Sequence, residues 1–192
     1  MVAQHKYVTP EDYLKFERQS ETKHEYFDGE IFAMTGASEK HNTISGNAFA
    51  SLHTQLRKQP CSVYPSDMRV RTYSTVHYTY PDISVVCGEA KFEDDEVDTL
   101  LNPTLIIEVL SPSTENYDRG KKFQHYRTLP SLQEYLLIAQ DSVSVEHYIR
   151  KDNEWIFSDA ASLEAVITLP SINCSLALGD VYEKVNFGED QT

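Results

Sequence analysis

The chain has 192 residues, of which 40% are hydrophobic and 24% are charged, and it carries 30 Asp and Glu residues against 17 Lys and Arg residues. This composition favours one globular domain over residues 1–192 and excludes collagen-like and low-complexity chains. The net charge of −13 argues against a protein held on nucleic acid by charge alone. A local basic patch or a metal-bound site that recruits phosphate stays compatible with it.

The three cysteines, Cys61, Cys87 and Cys174, lie far apart and form no Cys-x-x-Cys pair. We interpret them as reduced core thiols of a cytoplasmic protein. No apolar run approaches the roughly 18 residues of a membrane span, and the first six residues lack the apolar stretch of a secretory signal. The sequence therefore predicts a cytoplasmic chain with no membrane partner.

The first 80 residues predict helices that alternate with short strands. Thr9 and Pro10 are typical of a helix start, and Asp28-Gly29 is typical of a hairpin turn. Apolar residues every four positions from Ile44 predict an amphipathic helix. The expected elements are a helix from 10 to about 18, a hairpin over 26–32, a helix over 39–57, strands at 62–64 and 68–73, and a bend over 75–80.

The rest of the chain predicts a mixed sheet. Two nearly continuous apolar runs, 83–87 and 105–110, are typical of strands that are covered on both faces. Together with the helices they favour an α/β (α+β) fold. The other expected elements are an acidic loop over 89–98, a helix from about 115 to 129, a strand at 134–139, a hairpin of 144–150 and 155–158, strands at 165–169 and 173–178, a short helix capped by Gly179-Asp180, and a frayed tail at 187–192.

Glu108 stands in the middle of the second apolar run and shares a strand face with Ile106 and Leu110. Burying a carboxylate is costly unless it is paired, hydrogen-bonded or bound to a metal. One interpretation is an ion pair with a nearby Arg or Lys. The other uses Asp82, which opens the neighbouring apolar run, because two close carboxylates favour a cation between them. A divalent ion such as Mg²⁺ would then support phosphodiester hydrolysis.

Lys122 is the candidate for a fixed positive charge at such a site. At 100° per residue it lies roughly 40° from the centre of the apolar stripe of the helix that follows Glu108, and Lys121 lies ~140° away. Lys122 is therefore expected to point inward and Lys121 toward solvent. The alternative for Lys122 is a simple i,i+4 ion pair with Asp118.

Two further residues are possible auxiliaries of this site. His41 lies at the middle of the apolar stripe of the second helix, where it is either a core histidine or a neighbour of the metal. Glu25 flanks the Asp-Gly turn and is either a solvated acid or a residue that reaches the site. The residues that could line a local groove for nucleic acid are Arg69, Arg71, Arg119 and Lys121.

Several of these residues occur in motifs that resemble a large bacterial family of restriction-endonuclease-like nucleases, formerly catalogued as a domain of unknown function. This family belongs to the PD-(D/E)XK superfamily. The resemblance extends from about Thr9 to Val185, and its most specific block is 108–126. The matching motifs are Pro81-Asp82, Ile107 to Thr114, Asp118 to Lys122, Tyr126 and Glu134-Tyr135, with weaker matches at Glu25 to Glu30 and at His41.

The resemblance implies a restriction-endonuclease-like core, a central mixed β-sheet flanked by helices with extra N-terminal and C-terminal strands, and a homodimer. It implies Mg²⁺- or Mn²⁺-dependent cleavage of DNA with Asp82 and Glu108 as metal ligands. The usual lysine of the superfamily lies two residues after the glutamate, where this chain has Leu110, and the resembling family supplies it from the next helix, here Lys122. Two functions stay open: a metal-dependent endonuclease, and a non-catalytic nuclease-like module for binding or assembly.

Overall fold

The computed structural model describes residues 7–73 and 76–188 of the chain. Its strands are β1 (His24–Phe27), β2 (Glu30–Ala33), β3 (Cys61–Pro65), β4 (Arg69–Thr72), β5 (His77–Thr79), β6 (Ile83–Cys87), β7 (Thr99–Leu100), β8 (Leu105–Leu110), β9 (Glu134–Ala139), β10 (Val145–Lys151), β11 (Glu154–Ala160), β12 (Val166–Leu169) and β13 (Cys174–Ala177). Its α-helices are α1 (Pro10–Glu17), α2 (Glu39–Leu56), α3 (Glu115–Tyr117), α4 (Phe123–Tyr126) and α5 (Leu178–Val181). A π-helical turn, Asp118–Lys122, joins α3 to α4.

A six-stranded mixed sheet in the order β11-β10-β9-β8-β6-β3 forms the centre of the fold. Its β8–β9 pair is parallel and its other pairs are antiparallel. All six residues of β8 and of β9 are buried, as expected for apolar strands covered on both faces.

The two faces of this central sheet carry different cores. On one face, α2 packs its buried stripe of Ile44, Ala48, Leu52 and Leu56 together with α5 and the β12–β13 hairpin. On the other face, side chains such as Ile106 and Leu110 meet the helical segment 115–126 and a second sheet. That second sheet has five strands in the order β2-β1-β5-β4-β7.

The expected architecture is confirmed: a central mixed sheet flanked by helices, with added strands from both ends of the chain. Thr9 and Ser38 cap α1 and α2 through their side-chain oxygens. Three local expectations need correction. The segment 77–79 forms β5 rather than part of a bend, since it pairs with both β1 and β4. The helix after β8 ends at Tyr126 instead of about 129, and it contains the π-helical turn.

The cysteine prediction is wrong for two of the three residues. Cys61 and Cys87 are joined in a disulfide, and Cys174 is a buried free thiol. The physical reason is the antiparallel register of β3 and β6, which makes Cys61 and Cys87 direct partners although 26 residues separate them. Cytoplasmic localisation therefore stays a prediction without the support of reduced thiols.

Two remaining expectations concern the membrane and the C-terminus. In 7–73 and 76–188, no helix is both long and apolar enough to cross a bilayer. The tail expected to fray at 187–192 falls outside the described residues from position 189 onward. Phe187 itself packs against the Tyr182 ring, with ring centroids 5.6 Å apart.

Candidate functional site

One cleft of about 620 Å³ gathers the residues that the sequence singled out for chemistry. It lies beside the central sheet, where the start of α2, the hairpin β1–β2 and the π-helical turn meet. The predicted site residues that line it are Glu25, His41, Asp82, Glu108 and Lys122.

Strand pairing explains why Asp82 and Glu108 lie on the same side of the sheet. Ile83 pairs with Ile107 in the antiparallel β6–β8 ladder. One further step of the same register sets Asp82 opposite Glu108, and directly opposite residues of an antiparallel pair share a face. The two carboxylates therefore open into one cleft, as a shared cation requires.

The Asp82 carboxylate is held by two donors at a single oxygen. The backbone N–H of Val109 donates to Oδ2 over 2.7 Å, and His41 Nε2 lies 3.2 Å from the same atom. Neither contact uses Oδ1. His41 therefore lies beside Asp82 at the cleft rather than enclosed in the core, and a role beside a metal ion stays a prediction.

The Glu108 carboxylate is held in the same way. The Tyr126 hydroxyl donates to Oε1 over 2.8 Å, and Lys122 Nζ lies 2.9 Å from this oxygen. Neither contact uses Oε2. Glu108 is only 3% exposed, so these two donors supply the pairing that a buried carboxylate needs.

Lys122 is the cation at the centre of three carboxylates. Besides Glu108, its ammonium lies 3.4 Å from Glu25 Oε1 and 3.5 Å from Asp118 Oδ1. The side chain is buried, whereas that of Lys121 is exposed, so the directions predicted for the two lysines are confirmed. The i,i+4 contact with Asp118 is present as well, but it is the longest of the three.

The charges around Lys122 change several pKa values. Burial, together with the charges of Asp118 and Asp82, raises the pKa of Glu108 to about 8 against the opposing effect of Lys122. Burial also pushes the pKa of Glu25 upward, but Lys122 and the Thr79 hydroxyl outweigh it, so that this pKa falls below its ordinary value. The pKa of Lys122 lies well above its ordinary value, because the surrounding carboxylates outweigh burial.

The cleft offers few side-chain ligands for a divalent cation. In the described parts of the chain, no three or more His, Cys, Asp and Glu side chains are grouped to hold a metal ion. Mg²⁺ however typically uses one or two carboxylates and completes its shell with waters and substrate phosphate. Asp82 and Glu108 offer two carboxylates in one cleft, each with an oxygen that its two donors do not use, so the residues fit an ion of this kind.

The arginines predicted to contact nucleic acid are engaged in ion pairs instead. Arg69 lies 2.5 Å from Asp98, and Arg71 lies 2.5 Å from Glu93. Arg119 pairs with Glu115 and Glu146 at 2.5 and 2.7 Å. A contact of these three residues with nucleic acid stays a prediction, and each contact would compete with an existing ion pair.

Sequence reasoning missed two hydroxyl groups at this site. Thr79 donates to Glu25 and lies 3.2 Å from the Tyr126 hydroxyl, which in turn bonds Glu108. Tyr126 stands among the motifs that match the resembling family, but the sequence assigns its hydroxyl no role, and Thr79 falls in the predicted bend. Apart from that motif, the only sequence signal for the two hydroxyls is a polar atom within a buried, strand-like or apolar pattern, which many core residues share.

Comparisons with known proteins show the family of this chain. Residues 10–179 match a family model described as “Uma2: Putative restriction endonuclease”. Two curated proteins of Synechocystis sp. (strain ATCC 27184 / PCC 6803 / Kazusa), named “Uncharacterized protein slr1290” and “Uncharacterized protein sll1609”, are 38% and 39% identical to this chain over 181 and 168 residues. The alignments cover 94% and 87% of this chain, and 94% and 95% of the relatives.

A solved structure has a similar fold. It is described as a “putative nuclease belonging to DUF820 from Anabaena variabilis ATCC 29413”, and it superposes with a TM-score of 0.75 at 22% identity. The match covers 92% of this chain and 98% of that chain. At this identity the likeness shows the fold, so the chemistry must be argued from the cleft itself.

Proposed function

The chain belongs to the Uma2 family, described as “Putative restriction endonuclease”, and from this premise we propose that it is a metal-dependent endonuclease that hydrolyses phosphodiester bonds of DNA. The single observation that carries the proposal is the placement of Asp82, Glu108 and Lys122 at one cleft. Two carboxylates at one cleft can hold the cation of a metal-assisted phosphodiester hydrolysis, and a lysine beside them can stabilise the charge that develops on the phosphate.

The three residues have two roles in the proposed reaction. Asp82 and Glu108 would hold Mg²⁺ or Mn²⁺, which supplies a Lewis acid for the phosphate and lowers the pKa of a bound water. Lys122 provides a fixed positive charge beside them. Its ammonium is 2.9 Å from Glu108, in a buried position where charge acts more strongly than in water. His41 holds Asp82 at Oδ2 and is an auxiliary of the site.

The charge of the cleft favours recruitment of the substrate through the cation. The lining contains four carboxylates, those of Glu25, Asp82, Glu108 and Asp118, but only two lysines, Lys23 and Lys122. A phosphate entering this cleft without a divalent ion would meet net negative charge. A homodimer, which the resemblance to the family implies, would present two such clefts to one duplex.

A nuclease assay tests the proposal. The wild-type protein and Asp82→Asn are incubated with plasmid DNA, linear duplex DNA, single-stranded DNA and RNA, each with Mg²⁺, Mn²⁺ or EDTA. We expect DNA cleavage that needs a divalent ion and is lost in Asp82→Asn. The matched control is Asp159→Asn, an exposed acid of β11 outside the cleft lining, which should cut like the wild type.

The other function considered for this chain makes a different prediction in the same assay. A non-catalytic nuclease-like module would leave every substrate intact with both metals while it still retained nucleic acid or a protein partner. Intact substrates in all of these reactions would therefore contradict the endonuclease proposal.

A further inference from the structure

Five side chains at the cleft form a closed polar ring, which we define as Glu25, Thr79, Tyr126, Glu108 and Lys122. Thr79 donates to Glu25, and its hydroxyl oxygen lies 3.2 Å from that of Tyr126. Tyr126 donates to Glu108, and Lys122 closes the ring by contacting both Glu108 and Glu25. Thr79 and Tyr126 are fully buried, so both are members of the ring that substrate does not touch.

The polar ring joins two sheets and one helical segment of the fold. Glu25 and Thr79 belong to β1 and β5 of the five-stranded sheet, Glu108 belongs to β8 of the central sheet, and Lys122 and Tyr126 belong to the helical segment 115–126. Because the ring members come from distant parts of the chain, the position of each carboxylate depends on hydroxyl groups carried by another layer. A hydrogen bond from a buried hydroxyl is directional, whereas the attraction of an ammonium is not.

The number of protons in the ring determines which way the hydroxyls point. Thr79 and Tyr126 have one hydroxyl proton each. When both carboxylates are ionised, the two hydroxyl protons point at Glu25 and Glu108. The contact between the oxygens of Thr79 and Tyr126 is then a packing contact without a proton between them. Both contacts of Glu108 then use Oε1, so that neither of them occupies Oε2.

We propose that Tyr126 is a positioning residue for the metal ligand Glu108, and that Thr79 is a positioning residue for Glu25, which together with Glu108 holds Lys122. This inference rests on the proposed function, because it concerns how the chain presents Glu108 to a divalent cation. Partners of this kind fix the orientation of a metal ligand, and their loss typically lowers metal affinity by about 10–100-fold.

Metal binding by the intact protein tests this inference without any need for cleavage. Titration calorimetry with Mn²⁺ alone is carried out on the wild type, Tyr126→Phe, Thr79→Val and Thr79→Ser. We expect Tyr126→Phe to weaken Mn²⁺ binding by about tenfold or more and Thr79→Val to weaken it by a smaller factor. Thr79→Ser keeps the hydroxyl and loses only the methyl group, so its Mn²⁺ affinity should stay near that of the wild type. The comparison of the two variants distinguishes the effect of the hydrogen bond from that of side-chain packing.

A matched control measures the effect of losing a buried tyrosine hydroxyl away from the cleft. Tyr182 is also a buried tyrosine, but it donates to the backbone carbonyls of Ala139 and Ser144 in the other core. Tyr182→Phe should therefore lower the melting temperature without changing Mn²⁺ affinity.

Three outcomes of the titration are decisive. Unchanged Mn²⁺ affinity in Tyr126→Phe, with the wild type binding normally, would overturn the positioning role and leave the endonuclease proposal intact. Weakened binding in Tyr126→Phe, in a wild-type protein that binds Mn²⁺ but cuts no nucleic acid, would support the positioning role and contradict the endonuclease. A wild type that binds no Mn²⁺ would overturn both.

Discussion

The protonation of Glu108 is the central question at the scale of single residues. Its pKa is raised to about 8, by burial first and then by Asp118 and Asp82, while Lys122 opposes the rise. In the metal-free protein this carboxyl therefore keeps its proton up to a higher pH than an exposed glutamate does. A divalent cation in the cleft would compete with that proton, since metal ligands bind in their deprotonated form.

Glu108→Gln should abolish Mn²⁺ binding and leave the metal-free fold intact. The amide has the shape of the protonated carboxyl and can still accept from Tyr126 and Lys122, so the melting temperature at pH 7 should stay within a few degrees of the wild type. Relief of the repulsion from Asp82 and Asp118 could even raise it. Calorimetric melting in EDTA and Mn²⁺ titration measure the two effects. A large loss of metal-free stability would identify Glu108 as a structural ion-pair member instead.

His77 is the residue from which we expect a pH-dependent stability. Burial, together with the charges of His125 and Lys122, lowers the pKa of His77 to about 4, while the charge of Glu25 acts in the opposite direction. Between pH 6.5 and 4 the unfolded chain binds a proton at this position and the folded chain does not. The contribution of His77 to the free energy of unfolding is therefore fully present at neutral pH and falls on acidification. At pH 5 the loss is about 2 kcal/mol.

Urea unfolding of the wild type and His77→Gln at pH 7 and pH 5 isolates this effect. The glutamine can still bond the Tyr117 hydroxyl, which lies 3.2 Å from His77 Nε2. The wild type should lose stability relative to the variant as the pH falls. A difference between the two proteins that is the same at both pH values would show that His77 titrates with an ordinary pKa in the folded state.

At the scale of elements, the helical segment 115–126 decides which lysine enters the site. The π-helical turn Asp118–Lys122 departs from the regular helix that the sequence predicts. The predicted direction of Lys122 nevertheless holds. The apolar stripe that orients it consists of Phe123, Tyr126 and Leu129, and the first two of these follow it on the regular turn α4. The irregular turn lies before them and buries Asp118 and Lys122 together.

Lys122→Met should be far more damaging than Lys121→Met. Loss of the Lys122 ammonium leaves three carboxylates near one another in a buried site, which typically costs about 3–5 kcal/mol of unfolding free energy. The exposed Lys121 should change stability by less than about 0.5 kcal/mol. Metal-dependent cleavage should be lost in the first variant and nearly kept in the second, and denaturant unfolding of both variants completes the comparison.

Lys122→Arg keeps the positive charge but changes the shape of the charged group, so it shows which effects of Lys122 depend on charge alone. It should recover much of the stability lost in Lys122→Met without full cleavage, since a planar guanidinium cannot take the place of a compact ammonium. Equal and small losses of cleavage in the two Met variants would mean that Lys122 serves only as the ion-pair partner of Asp118.

The elements that the sequence predicted well are those with a local pattern. Three such features are found in the structure: the apolar run around Glu108, the four-residue spacing of apolar residues in α2, and the Asp28-Gly29 turn. Each of them depends on residues that are close together in the sequence. The parts that were missed depend on pairing between elements. Thr79 became a site residue only because β5 pairs with β1, and Cys61 met Cys87 only through the β3–β6 register. Single-sequence patterns carry little information about such contacts.

At the scale of the whole molecule, the net charge of −13 shapes how nucleic acid can be bound. Arg69, Arg71 and Arg119 are paired with acids, and the cleft lining has more carboxylates than ammonium groups. Attraction between protein and phosphate is therefore expected to depend on the divalent ion more than on the side chains. A binding mode with few Lys and Arg contacts also has a shallow dependence on salt.

Fluorescence anisotropy with labelled duplex DNA measures this dependence. With Ca²⁺, chosen to limit cleavage, we expect binding that disappears in EDTA and is absent in Glu108→Gln. The slope of the logarithm of the affinity against the logarithm of the salt concentration should correspond to only a few phosphate contacts. Strong binding in EDTA with a steep slope would instead indicate a basic surface that acts without the metal.

The polar ring, finally, has a consequence for the synthesis of the protein. Its members lie between Glu25 and Tyr126 and come from two sheets and a helix, so the ring cannot close while the chain is being made until residue 126 has left the ribosome. The docking of β8 against β9 further requires residues up to 139. A nascent polypeptide that ends before these residues therefore holds no assembled centre, and the proposed cleavage of DNA can begin only after they have been made.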